Sequence, residues 1–165
     1  MIADKGRNPQ IRRLPKPSQS HFSGGLESAE RLLESALHSL PAAILKRVLV
    51  VDYSQTGQLS EITAQLIGPL REGGHVVHRE TLVPVEPFPF PWPIVDFVDA
   101  MPECVQLDAP PLKPLSIAAD AEFDLVILCY QVWFLSPALP ITAFLHSAEG
   151  KRLIRGKPVV TLVAC

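Results

Sequence analysis

Between Arg47 and Glu72 the chain reads RVLVVDY, then SQTGQLS, then EITAQLIGPLRE. An unbroken run of branched apolar residues is the mark of a strand buried on both faces, because a strand open to water on one side alternates. The polar, Gly-containing turn feeds directly into a helical pattern, so this stretch predicts strand, turn and helix over 61–72. Gly73 and Gly74 end the helix, and HVVHRETL alternates enough to form another strand, which closes one βαβ unit. Further on, FDLVILCY (123–130) and PVVTLVAC (158–165) repeat the unbroken apolar signature, with QVWFLSP and a helix over ALPITAFLHS between them. Buried strands separated by helices predict the α/β class, a three-layer, doubly wound parallel sheet with right-handed crossovers.

The flanking pattern divides the chain. Residues 1–25 hold Pro9, Pro15, Pro17, Gly24 and Gly25 among polar residues and read as a flexible tail. In 26–45 the apolar positions 26, 29, 32, 33, 36, 37 and 40 follow the three-and-four spacing of one helix face, closed by Pro41. That stripe is expected to pack on the sheet through Leu33 and Leu37. Residues 46–165 form the α/β domain, interrupted over 83–120 by an insertion with nine prolines between Pro84 and Pro114. FPFPWP can be neither helix interior nor central strand. Residues 94–101 suit a short helix, and the rest a long loop or lid. With Phe88, Phe90, Trp92 and Phe97 the segment is an apolar patch that suits a functional lid, packing or a homodimer contact equally well.

Composition narrows the classes. At 165 residues and 47% hydrophobic, with mean hydropathy +0.21, the chain has enough material for one domain with a real core. Residues 1–47 carry eight Lys/Arg against four Asp/Glu, and residues 48–165 carry seven against thirteen. A net-acidic domain offers no footprint for a nucleic-acid backbone. The start has no apolar core of a secretory signal, and no apolar run reaches membrane-spanning length without Pro or charge, so a cytoplasmic protein with no membrane partner is expected. Cys104, Cys129 and Cys165 lack metal-ligand spacing and read as reduced thiols. His75 and His78 lie three apart on a strand, on opposite faces, and no metal site is expected.

The candidate chemistry lies in two loops. In the first, Ser54, Gln55, Thr56, Gly57, Gln58, Leu59 and Ser60 follow a buried strand and open a helix whose first N–H groups have no internal partner; these and the hydroxyls of Ser54, Thr56 and Ser60 can converge on an anion. The second comprises Tyr130, Gln131, Val132, Trp133 and Phe134 after the strand that neighbours the first in a doubly wound sheet. A phosphate cradle beside an aromatic loop suits a phosphorylated planar ring. No GxGxxG, GxxxxGK[ST] or nucleophile elbow is present, which argues against dinucleotide, P-loop and hydrolase sites. Asp52 beside the cradle would repel phosphate, so it is expected to point away or to be hydrogen-bonded.

The SQTGQLS loop, the Y-x-x-W-F-x-x-P-A segment and the GKPVVTLVA strand together resemble the flavodoxin-like flavoproteins, most of all the NAD(P)H:quinone-reductase branch, over residues 46–165. The YSQTGQL loop and the Pro/aromatic insertion are also similar to a subgroup labelled after dialkylresorcinol condensing enzymes. The resemblance implies FMN as cofactor, NAD(P)H as co-substrate and a quinone-like or other small-molecule acceptor; an electron carrier and a non-catalytic fragment are the alternatives. It implies that Ser54, Thr56 and Gly57 bind the phosphate through a pattern [ST]-x-T-G-x-[ST], whose last position here is Leu59, with Ser60 next to it as a possible helix cap. The ring would rest on Tyr130 to Phe134, and no acid or base is assigned. The resemblance also implies strand order 2-1-3-4 with a fifth strand missing, so a C-terminally truncated chain is expected.

Overall fold

The computed structural model describes residues 31–33, 35 and 46–164. In chain order these form β1 (Arg47–Asp52), α1 (Gln58–Glu72), β2 (Val76–Thr81), α2 (Ile94–Asp99), α3 (Met101–Gln106), β3 (Leu125–Trp133), β4 (Ser136–Pro137), α4 (Leu139–His146), α5 (Ala148–Ile154) and β5 (Val159–Ala164). The sheet runs β2-β1-β3-β5, every pair parallel, with Val50 beside both Arg79 and Ile127, and Ile127 beside Val160. This is the expected flavodoxin-like order; β4 lies outside it, as a two-residue return strand antiparallel to the end of β3.

The unbroken apolar strands are buried on both faces, as their patterns require. On one face Val48, Val50, Leu125, Ile127 and Cys129 pack against Leu59, Leu66, Ile67 and Leu70 of α1. On the other, Leu49, Val51, Val126 and Leu128 pack against Leu139, Ile141, Phe144 and Leu153 of α4 and α5. Two helical layers thus enclose one sheet. β1 and the first five residues of β3 are almost wholly buried, whereas β5 alternates between half-buried and exposed positions.

The helix expected over 26–40 lies mostly outside the described residues, as do the tail and Leu37. Of that helix, Arg31–Leu33 and Ser35 are described and helical; of its stripe, Leu33 is 4% exposed and joins the cluster on the α1 face, whereas Leu32 is 63% exposed.

Three elements differ from expectation. α1 begins at Gln58 rather than 61, because Gly57 takes the left-handed conformation (φ 86°) and turns the chain into the helix. At its other end Gly73 caps the helix and Gly74 carries the positive φ. The insertion holds two short helices rather than one, and its ends are tied together where Val85 N–H donates to Pro111 O (2.9 Å) and Lys113 N–H to Val83 O (2.8 Å). Its return to β3 is pinned by Glu80, whose carboxylate accepts from the Ser116 N–H (3.1 and 3.2 Å) and hydroxyl. The segment after the third strand is a tight hairpin: β3 continues to Trp133, and Phe134 and Leu135 both have positive φ (48° and 66°) before Ser136. Two successive left-handed residues make the turn that matches the strand twist, and without Gly or Asn each costs about 1–2 kcal/mol.

Candidate functional site

The first candidate loop leaves the carboxyl end of β1, and the second candidate segment is the last four residues of the adjacent parallel strand β3 with the turn residue Phe134, at the point where the sheet order reverses direction. Open α/β sheets bind ligands in the crevice at such a point. The loops touch: Gln55 N–H donates to Gln131 Oε1 at 3.3 Å. Gln55 also ties the loop to the insertion. Its side-chain amide donates to Phe88 O (3.2 Å) and Pro89 O (3.0 Å), and its carbonyl oxygen accepts from the Tyr53 hydroxyl. Burial pushes the Tyr53 phenol up to about 12, so it stays protonated and remains a donor.

In the first loop the Ser54 hydroxyl is buried and has no hydrogen-bond partner among the described residues. A buried hydroxyl without a partner costs about 1–3 kcal/mol, so its position needs a reason. Thr56, Gly57 and Gln58 are exposed. The first backbone group of α1 to bond back is Glu61 N–H, to Gly57 O at 3.1 Å, so the N–H groups of Gln58, Leu59 and Ser60 precede the helix's own ladder. These donors and the unpartnered Ser54 hydroxyl are a fit for a phosphate.

Leu59 and Ser60 do not act as their positions suggest. The Leu59 side chain is 1% exposed and packs in the core, so only its backbone faces the loop. Ser60 is no helix cap: it is the third residue of α1, and its hydroxyl and carbonyl both accept from Arg79 Nη2. The same guanidinium closes a fork on Asp52, Nε to Oδ1 at 2.9 Å and Nη2 to Oδ2 at 2.7 Å, while Thr81 donates to Oδ1 at 3.0 Å. Asp52 is thus fully buried but triply hydrogen-bonded, as anticipated for a carboxylate beside an anion loop. Its hydrogen bonds hold Arg79 still more firmly in the charged form. Nothing in the local sequence singled out Arg79, because the signal is a register relation, residue 79 reaching across to residue 52. Only the buried acid at 52 asked for such a partner.

In the second loop Tyr130 and Gln131 are half-buried and Val132 is exposed. Trp133, expected to contact the ring, is largely enclosed by aromatic side chains. Its indole is 7% exposed, enclosed by Tyr53 (centroids 5.7 Å), Phe88 (5.1 Å) and Trp92 (4.9 Å), and so supports the hairpin from beneath. Phe134 remains partly open, with Phe97 of α2 against it at 4.7 Å. The tip residue Leu135 is 99% exposed and was missed, since a turn without Gly or Asn gives no hairpin signal. The insertion also presents Phe90 (64%), Ile94 (82%) and Val95 (68%) to solvent.

Among the described residues no group of three or more His, Cys, Asp or Glu could hold a metal ion, and no helix is long and apolar enough to cross a membrane. Cys104 and Cys129 are buried free thiols.

The fold matches that of a flavoprotein from Lactobacillus acidophilus NCFM, solved in complex with FMN, with a TM-score of 0.52 at 17% identity over 72% of this chain and 92% of that one. At that identity the likeness establishes the flavodoxin-like fold. No protein-family model and no curated protein matches the chain.

Proposed function

We propose that the protein binds FMN and acts as an oxidoreductase, taking reducing equivalents from NAD(P)H and passing them to a quinone-like or other small acceptor. The observation that carries the reading is the buried, unpartnered Ser54 hydroxyl beside the open N-terminus of α1, on a loop hydrogen-bonded to the neighbouring β3 hairpin. The structural neighbour, which was solved with FMN, supports the choice of ligand. Ser54, the Thr56 hydroxyl and the backbone of Gly57 to Ser60 would hold the phosphate, and Tyr130, Gln131, Val132 and Phe134 would border the ring. When bound, FMN supplies acceptance of a hydride and release of one or two electrons. The chain's own part is to orient the ring and keep water from it, which the packed Tyr53, Phe88, Trp92 and Trp133 side chains favour beneath the hairpin. The exposed apolar residues of the insertion and Leu135 favour a small apolar acceptor.

The purified chain reconstituted with FMN and mixed with NADPH or NADH and a soluble quinone tests the activity. Steady consumption of reduced nicotinamide without a partner reductase is expected. FMN binding with no such consumption would instead make the protein an electron carrier.

A further inference from the structure

Neither loop carries a positive charge: residues 53–60 and 130–138 contain no Lys or Arg. The charges nearest in sequence are negative, Asp52 at the end of β1 and Glu61 in the first turn of α1. An anion held at the start of α1 therefore lies close to a fully buried carboxylate. Arg79 is the basic residue tied to both parts. Its fork neutralises Asp52, and its Nη2 grips the backbone and hydroxyl of Ser60, in the turn whose N–H groups open toward the loop.

We infer that Arg79 is the positioning residue that makes this loop accept a phosphate, by cancelling the charge of Asp52. The inference rests on the cofactor reading above and adds that preference for phosphorylated over unphosphorylated flavin is set from β2, by a residue outside the loop. A residue with a merely structural part would weaken both flavins alike. One that governs the anion site changes their ratio.

The test titrates FMN and riboflavin, by quenching of flavin fluorescence, into the full chain, Arg79→Met, and the double variant Asp52→Asn with Arg79→Met. In R79M the FMN dissociation constant is expected to rise roughly 10- to 100-fold, about 1.4–2.8 kcal/mol, with riboflavin changed less than about threefold. Because the double variant removes the buried carboxylate along with its partner, its FMN-to-riboflavin ratio is expected to return to within about threefold of wild type. That variant carries the test if R79M alone fails to fold. An unchanged ratio in R79M, or a double variant that loses the preference, overturns the inference while leaving the cofactor reading intact. Wild type that binds neither flavin overturns the cofactor reading itself, and this inference with it.

Discussion

Leu59 occupies the place where the phosphate-loop pattern has a hydroxyl, and replacing it with Thr restores the pattern; the structure predicts that this repair does harm. Its side chain is 1% exposed and packs with Val48, Val50, Leu66 and Ile127 under α1. Leu59→Thr removes two carbons, at about 0.8 kcal/mol per buried methylene, and leaves a small void. It also buries a hydroxyl. Thr63 on the same helix shows how a buried Thr is satisfied there, donating to Leu59 O at 2.8 Å one turn back. Position 59 has no such partner, since one turn back is Gln55, in the loop before the helix. A buried hydroxyl without a partner adds about 1–3 kcal/mol. The expected loss is about 3–4 kcal/mol in urea unfolding, a large share of the roughly 5–15 kcal/mol that holds a domain together. In a thermal melt it lowers Tm by roughly 6–16 °C. FMN affinity should not improve. A variant as stable as wild type, or one binding FMN tenfold tighter, would show that side chain 59 faces the loop and not the core.

Ser54→Ala should have opposite effects on stability and binding: unliganded stability unchanged or raised by up to about 1 kcal/mol, FMN binding weakened about 10- to 100-fold; a stability loss above 1 kcal/mol would mean that the hydroxyl is already bonded. Trp133→Ala, in the core, should cost about 3–5 kcal/mol and the half-buried Trp92→Ala less, and the pair, whose rings meet at 4.9 Å, should show a coupling of about 0.5–1.5 kcal/mol in a double-mutant cycle, whereas strict additivity would separate the insertion from the hairpin. Burial pushes the Cys129 thiol from 9.0 up to about 12. A raised acid pKa gives stability that is complete below pH 9.0 and lost as pH climbs toward about 12, because the unfolded chain ionises first. Wild type should therefore lose about 2 kcal/mol more than Cys129→Ala between pH 7 and pH 10.5, and equal losses would place the thiol in water.

The strands were legible because their burial leaves a direct mark: RVLVVD and LVILCY carry no alternation, and both lie inside the sheet. The turn into α1 was legible for a similar reason, since Gly57 stands where a positive φ is needed. The side chains around that turn were not. Whether Leu59 faces the core or the loop depends on where the helix starts, and moving that start from 61 to 58 decides it. The hairpin at Phe134 and Leu135 lacks the residues that normally announce such a turn, so its conformation is imposed by packing on Phe97 and by pairing with β3. Trp133 and Arg79 were hidden for a third reason. Their partners, Trp92 and Asp52, lie 41 and 27 positions away and meet them only in the folded sheet.

The cradle formed by Ser54 to Ser60 is proposed to bind FMN. Titration of the purified full chain with FMN, followed by quenching of flavin fluorescence, tests it most directly. Saturable binding of one FMN per chain is expected, weakened by Ser54→Ala while the protein stays folded. No quenching at high micromolar FMN, with the chain folded, would contradict it.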